Sequence, residues 1–301
     1  MSKRFLLKGI LGFIFFLLIV CIGGAWYFAE VLLHPRPPHQ CKLEHYIFCN
    51  DPKADLGLNY ENVKYKTSDG MEISAWWVPA NRPSDKVMIS IHGRGATRRE
   101  GLRYVKLFHD QGINVILPDL RDCGESQKSF SSMGFHERKD LQATLDFVKS
   151  KGMKSTGILG FSMGAATSVL FMAEQPEIKI GIFDSGFADF VEVVSFVAKR
   201  DFGLPKYPLL PFVIFFYETR GNLETDDLSP EKAIGLISPR PVLIFHGTAD
   251  NGVPYEHGLR LEKAAKEPKE LVTVVSGEHT KLWQKDEKLV SSKILQLIQK
   301  L

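Results

Sequence analysis

Between residues 60 and 301, short β-prone runs alternate with amphipathic stretches, and that alternation leaves few folds open to the chain. Runs at 60–67, 71–78, 87–91, 113–117, 156–159, 178–183, 241–245 and 271–275 read as strands. Stretches near 98–111, 134–150, 163–175, 187–199, 255–266 and 281–300 read as helices. A strand that returns through a helix to the next strand makes a parallel crossover. The pattern therefore predicts an α/β fold, with an eight-stranded, mostly parallel sheet and helices on both faces. Only Ser68, Asp69 and Gly70 separate the first two strands, a hairpin turn that makes this pair antiparallel. A composition of 44% hydrophobic and 24% charged residues suits a buried core and excludes a disordered or collagen-like chain. No internal repeat or low-complexity segment interrupts the rhythm. Residues 187–239 exceed what one helix requires and contain the apolar run Leu209-Leu210-Pro211-Phe212-Val213-Ile214-Phe215-Phe216-Tyr217. A lid-like insertion that lines a pocket or touches lipid is expected there.

The amino terminus carries a second signal. After Lys8 come 21 uncharged residues, 9–29, about 31 Å as a helix and close to the thickness of a bilayer's hydrocarbon. A buried core helix rarely stays uncharged so long. A cleaved signal peptide usually has a shorter apolar region and a small-x-small site; Gly23-Gly24-Ala25 is the nearest candidate, but apolar residues continue past it. Ile19-Val20 before Cys21 lacks the small residue that lipoprotein processing needs. The reading is an uncleaved single-pass anchor. Lys3, Arg4 and Lys8 before the span, against Arg36 and Lys42 after it, favour a cytoplasmic amino terminus and an exported remainder. The expected division is a cytoplasmic terminus at 1–8, an anchor at 9–33, a stiff Pro-containing linker at 34–50 and a main domain at 51–301. Cys41 and Cys49 would then lie in an oxidising space, as a disulfide or as two free thiols. Four scattered cysteines make neither a disulfide scaffold nor a CxxC metal site. A net charge of +3 without charged blocks gives no reason to expect nucleic acid.

Gly160-Phe161-Ser162-Met163-Gly164 is the central chemical motif. A G-x-S-x-G match is weak alone, but this one follows a β run and opens a helix, the setting of a nucleophile elbow. Small residues two positions either side let strand and helix pass closely, which exposes the Ser162 hydroxyl at the turn. The Met163 N–H and the helix amino terminus would then face a developing negative charge. A serine nucleophile needs a base, and the base needs an orienting acid. Asp250, in His246-Gly247-Thr248-Ala249-Asp250, and His279, in Ser276-Gly277-Glu278-His279, follow the last two parallel strands. Both belong to the sheet edge where Ser162 emerges, the edge at which such sheets bind ligands. The expected catalytic set is Ser162, His279 as base and Asp250 as its orienter, with Arg94 and Met163 donating backbone N–H groups to an oxyanion.

Other residues compete less well. Asp184 ends a strand and could be a variant acid, with helix capping the more ordinary role. Asp226 and Asp227 read as lid surface, His246 as a packed or turn-bonded histidine, and His257 as exposed. In Ile91-His92-Gly93-Arg94-Gly95, His92 reads as a brace for the loop, and the Arg94 side chain as solvated or bound to a substrate carboxylate. Asp119-Leu120-Arg121-Asp122-Cys123-Gly124-Glu125-Ser126 reads as a tight bracing loop. Cys123 has no activating partner, so packing is favoured over a nucleophilic role. Glu137 and Asp140, one turn apart, read as structural salt-bridge partners.

Together these residues resemble the α/β-hydrolase superfamily over about residues 30–300. Within it the chain is most similar to bacterial hydrolases with one amino-terminal membrane span and no assigned substrate; human membrane-associated depalmitoylases look similar in the core. The marks are His34-Pro35-Arg36-Pro37-Pro38, His92-Gly93, Asp119-Leu120-Arg121 with Gly124-Glu125-Ser126, Gly134 with Glu137 and Asp140, Gly160 to Gly164, Pro205 with Pro208, and the Asp250 and His279 loops. It departs at Cys123, where relatives commonly carry His, and at Thr280 and Lys281, where they carry smaller, apolar residues. The resemblance implies a serine hydrolase acting on an ester or thioester through an acyl-enzyme. It implies no cofactor or metal, and a small-molecule or lipid-like acyl substrate. A non-catalytic scaffold of the same fold, or an acyltransferase or peptidase using the same residues, are the alternatives; the oligomeric state is open.

Overall fold

A computed structural model describes residues 3–35 and 47–301. Eight strands form one sheet: β1 (Glu61–Lys66), β2 (Glu72–Val78), β3 (Lys86–Ile91), β4 (Asn114–Pro118), β5 (Ser155–Phe161), β6 (Ile178–Asp184), β7 (Val242–Gly247) and β8 (Lys269–Val274). Their order is β1-β2-β4-β3-β5-β6-β7-β8. β1 and β2 pair antiparallel, β2 runs antiparallel to β4, and every later pairing is parallel. The helices are α1 (Lys3–Leu33), α2 (Pro52–Leu56), α3 (Leu102–Asp110), α4 (Glu137–Ser150), α5 (Met163–Glu174), α6 (Phe190–Phe202), α7 (Leu209–Gly221), α8 (Pro230–Ile234), α9 (Tyr255–Ala264), α10 (Leu282–Lys285) and α11 (Glu287–Ile298).

Because side chains alternate along a strand, the sheet feeds two cores. Val87, Ile89, Ile91 and Ile158 pack with Leu141, Leu145 and Val148 of α4 and with α5. Met88, Leu159 and Phe161 point the other way, onto Leu102, Val105 and Phe108 of α3 and onto Val290, Ile294 and Leu297 of α11. The α4 residues recur at i, i+4 and i+7, one stripe of a helix. In α5 residues 163–172 are all buried, since the helix lies between the sheet and its neighbours and has no solvated face.

Two expected helices divide. The stretch near 98–111 is a 3₁₀ turn at Arg98–Gly101 followed by α3. That at 281–300 breaks at Asp286, whose carboxylate accepts the Leu289 N–H at 2.9 Å and so starts α11 afresh. The 187–239 insert holds α6, α7, a 3₁₀ turn and α8. Asp189 caps α6 by accepting the Glu192 N–H at 3.1 Å, and Gly203, at φ +65°, ends it. The run 209–217 is helical and lies along the end of α1.

In α1 the side chains of residues 7–20 are all exposed, and the pattern changes after them. Ala25, Ala29 and Leu33 are fully or nearly fully buried, a single stripe at i, i+4 and i+8 packed into the main core. The helix carbonyls at its end are satisfied from the body of the protein. The Ser131 N–H donates to Leu33 O at 2.7 Å, and the Arg94 guanidinium donates to Val31 O and Leu32 O at 2.6 and 3.2 Å. Cys49 is disulfide-bonded; Cys41 and most of the 34–50 linker lie outside the described residues.

The 119–126 loop is braced by charge. Arg121 donates to both Asp140 carboxylate oxygens, at 2.7 to 3.2 Å, and to Asp69. Arg98, itself buried, is paired with Asp119 and Glu125. Glu137 serves differently from the expected salt bridge. Its carboxylate accepts the N–H groups of Ser132 and Gly134, at 2.8 and 2.9 Å, and the Ser132 hydroxyl, fixing the turn into α4.

Candidate active site

Four loops converge at the carboxyl edge of the sheet, following β3, β5, β7 and β8. The tightest is the turn from β5 into α5. A Cβ at Gly160 would lie 2.3 Å from Gly164 O, and one at Gly164 would lie 2.4 Å from the backbone oxygens of both Ile91 and His92. Backbone cannot yield at such distances, so only glycine fits at either position. Between them Ser162 has φ +51° and ψ −116°, a conformation that costs a non-glycine residue about 1–3 kcal/mol. The Ser162 N–H donates to Asp184 O at 2.8 Å, which helps hold the turn.

The Ser162 hydroxyl donates to His279 Nε2 at 2.9 Å, and His279 Nδ1–H donates to Asp250 Oδ2 at 2.8 Å. A carboxylate can only accept, so Asp250 puts the ring proton on Nδ1 and leaves Nε2 free for the serine. The other oxygen of Asp250 accepts the N–H groups of Gly252 and Val253 at 2.8 and 2.7 Å. Asp250 is thus buried and held at both oxygens, while the His279 side chain is 29% exposed and able to meet a ligand.

Beside the elbow, a Cβ at Gly93 would be 3.3 Å from both Ser162 Cβ and Phe161 O, so the β3 loop lies against the serine. The Gly93 N–H is tied to Glu100 Oε2 at 2.7 Å. Among the described residues the Arg94 and Met163 N–H groups donate to nothing within the protein, which leaves both available to an anion. His92 braces this loop as expected, accepting the Leu120 N–H at Nε2 (3.0 Å) and donating from Nδ1 to Gly93 O (2.8 Å). The Arg94 side chain, by contrast, is neither solvated nor directed to a substrate carboxylate, because its guanidinium is committed to the end of α1.

Ser162, His279 and Arg94 line a cavity of about 220 Å³. Its other walls are apolar, with Val193, Leu210 and Val213 from the 187–239 insert and Phe28, Val31 and Leu32 from α1. Among the described residues no group of His, Cys, Asp and Glu is disposed to hold a metal ion.

The competing residues have other work. Asp184 caps no helix and makes no hydrogen bond to His279. Its carboxyl accepts from Ser185 Oγ at 2.9 Å and Tyr104 Oη at 3.3 Å, and burial pushes it up to about 6. His246 is fully buried and donates from Nε2 to Val253 O at 2.9 Å; the same nitrogen stands 3.5 Å from Asp250 Oδ2. His257 is buried rather than exposed, because α9 turns it under the lid, where Nδ1 accepts the Ala188 N–H at 3.2 Å. Cys123 is buried, and burial together with Asp119 pushes its thiol up, away from the reactive thiolate. Asp226 and Asp227 lie exposed on the insert.

Gly252 escaped the reading of the sequence. A Cβ there would fall 2.6 Å from His279 Cγ, so this glycine makes room for the imidazole while its N–H holds Asp250. The signal was present: an Asp followed two positions on by Gly is the pattern of a side chain bonded to its own turn. We expect the strongly deshielded Nδ1 proton of a His–Asp pair in the proton NMR spectrum of the wild type. Gly252→Ala should lose it, and its persistence would mean that the ring keeps its bond despite the added methyl.

The alpha/beta hydrolase fold model matches residues 86–212. The chain is 32% identical over 221 residues to the Bacillus subtilis protein YqkD, itself uncharacterized, covering 72% of each. It is 27% identical to the Arabidopsis thaliana alpha/beta hydrolase domain-containing protein WAV2, over 76% of this chain and 75% of that one. Among solved structures, the Pyrococcus furiosus esterase Pf2001 superposes with a TM-score of 0.67 at 24% identity, covering 83% of this chain and 96% of the esterase. That likeness is one of fold. By its sheet order, its glycine-flanked serine turn and its kinship to these proteins, the chain belongs to the α/β-hydrolase superfamily.

Proposed function

We propose that this protein is a membrane-anchored serine hydrolase that cleaves an ester or thioester of a lipophilic acyl group. The observation that carries the reading is the unbroken hydrogen-bonded chain from Ser162 Oγ through His279 to Asp250, at 2.9 and 2.8 Å, on the wall of an apolar cavity. Ser162 Oγ attacks the acyl carbonyl carbon as its proton passes to His279 Nε2. The carbonyl oxygen takes the negative charge and accepts from the Arg94 and Met163 N–H groups, helped by the amino terminus of α5. Asp250 stabilises the imidazolium without taking the proton. When the tetrahedral adduct collapses, the bond to the leaving oxygen or sulfur breaks, and His279 returns the proton to that atom. Water, deprotonated by His279, then attacks the acyl-Ser162 carbonyl, and the acid leaves as the serine regains its proton. The esterase neighbour Pf2001 supports hydrolysis as the reaction class by analogy of fold.

The anchor is the run Leu7–Leu33, long and apolar enough to cross a bilayer. The basic residues before it, and the disulfide at Cys49, support export of the catalytic body. A phosphatase that matures only outside the cytoplasm, fused after Leu301, should be active; an inactive phosphatase beside a fluorescent cytoplasmic fusion would reverse the topology.

Nucleophilicity is tested with a fluorophosphonate probe on the full-length protein. Wild type should label, and Ser162→Ala should lose the label entirely. Equal labelling of both, or none of a folded wild type, would contradict the assignment.

A further inference from the structure

Three features place the end of α1 in the site. Phe28, Val31 and Leu32 form part of the cavity that Ser162 and His279 line. The carbonyls of Val31 and Leu32 hold the guanidinium of Arg94, the residue whose N–H is offered to the oxyanion. A cation at a helix carboxyl terminus is well placed, since the last carbonyls are unpaired and the dipole is negative there. The lid is fastened to the same helix: Phe202 lies edge-on to Phe28 at 5.0 Å, Phe216 to Trp26 at 5.4 Å, and Arg220 pairs with Glu30. A helix serving only as a tether would need none of these contacts.

The level of the bilayer follows from burial. Among the described side chains of α1, those from Leu7 to Val20 are all exposed, 14 residues or about 21 Å. Hydrocarbon of about 30 Å needs roughly six residues more. Those residues already run beside the lid, since a Cβ at Gly24 would touch Leu209 at 3.8 Å. The adjoining lid leaves Phe202, Tyr207, Phe212 and Phe215 uncovered, at 56, 68, 38 and 57% exposure. Such apolar aromatics are costly in water and suited to a membrane interface.

We infer that the carboxyl-terminal end of α1 is a wall of the acyl site, that Phe28, Val31 and Leu32 set which chain is accepted, and that the chain enters from the bilayer between α1 and the lid. The inference rests on the hydrolase reading above and gives it a substrate class, a bilayer-resident ester or thioester. The volume of this half-open pocket bounds the length of chain it can hold within the protein. A cavity of about 150 Å³ holds a benzene, six carbons; 220 Å³ on that scale holds about nine. A medium chain fills the pocket, and a longer one leaves its tail among the exposed aromatics.

The test uses full-length protein in phosphatidylcholine vesicles, with p-nitrophenyl acetate and p-nitrophenyl decanoate as probes. In wild type, kcat/KM should be higher for the decanoate. Leu32→Trp, which fills the pocket from the α1 side, should lower the decanoate-to-acetate ratio by about tenfold or more. Phe28→Ala, which lengthens a pocket sized for about nine carbons, should raise the decanoate-to-acetate ratio. Phe13→Ala, on the exposed stretch of α1, should leave the ratio within about twofold of wild type. A ratio unmoved by both Leu32→Trp and Phe28→Ala, in protein that hydrolyses acetate and takes the fluorophosphonate label, overturns the inference alone. Wild type that neither labels nor hydrolyses either ester overturns the hydrolase reading, and this inference with it.

Discussion

The site depends on how closely two pieces of backbone approach. At the turn from β5 to α5, Gly160 faces Gly164 O, and Gly164 faces the backbone oxygens of Ile91 and His92. No other residue type fits at either place. That contact holds Ser162 at φ +51° with its hydroxyl out of the core, and it brings the β3 loop, with the Arg94 amide, against the serine. The strain of that conformation, about 1–3 kcal/mol, is offset by two packed cores and by the Ser162 N–H bond to Asp184 O. The aspartate and the histidine need only reach the same edge, and the parallel order of β7 and β8 delivers both there.

A second dependence links the edge of the sheet to the amino terminus. Arg94 ties the β3 loop to the last turn of α1, and Arg220 and Phe216 tie the lid to the same helix. One helix thus meets three parts of the site: the loop carrying Arg94, whose amide is the proposed oxyanion donor, the 187–239 insert and the cavity wall. Its exposed stretch at 9–20 and its partly buried last turns are both apolar, yet they face different surroundings, lipid in our reading and protein in the structure.

That similarity explains what the sequence could and could not reveal. Strand and helix positions were legible from alternation, because each strand is a short β-prone run and most helices carry a polar face. Ser162 was legible because its glycines are required by backbone contact. Asp250 and His279 were legible because topology restricts them to the loops after the last two strands. The packing of α1 was not, since a uniformly apolar helix carries no periodic signal to mark Ala25, Ala29 and Leu33 as its buried stripe. α7 was obscure for the same reason, and 209–217 read as an apolar run without an element. His257 was misjudged as exposed because its burial comes from the lid crossing over α9, a long-range contact. Gly252 carries a turn signal beside Asp250, but its need to be glycine comes from the His279 ring arriving from another loop, which spacing does not reveal.

In the proposed reaction, Ser162 carries the acyl group between two half-reactions. Full-length protein mixed with p-nitrophenyl decanoate, quenched in acid within the first turnovers and digested, allows the adduct to be located by mass spectrometry. We expect a decanoyl group on the peptide containing Ser162, lost when turnover is allowed to finish. Steady hydrolysis with no acyl adduct, or with the adduct on Cys123, would contradict it.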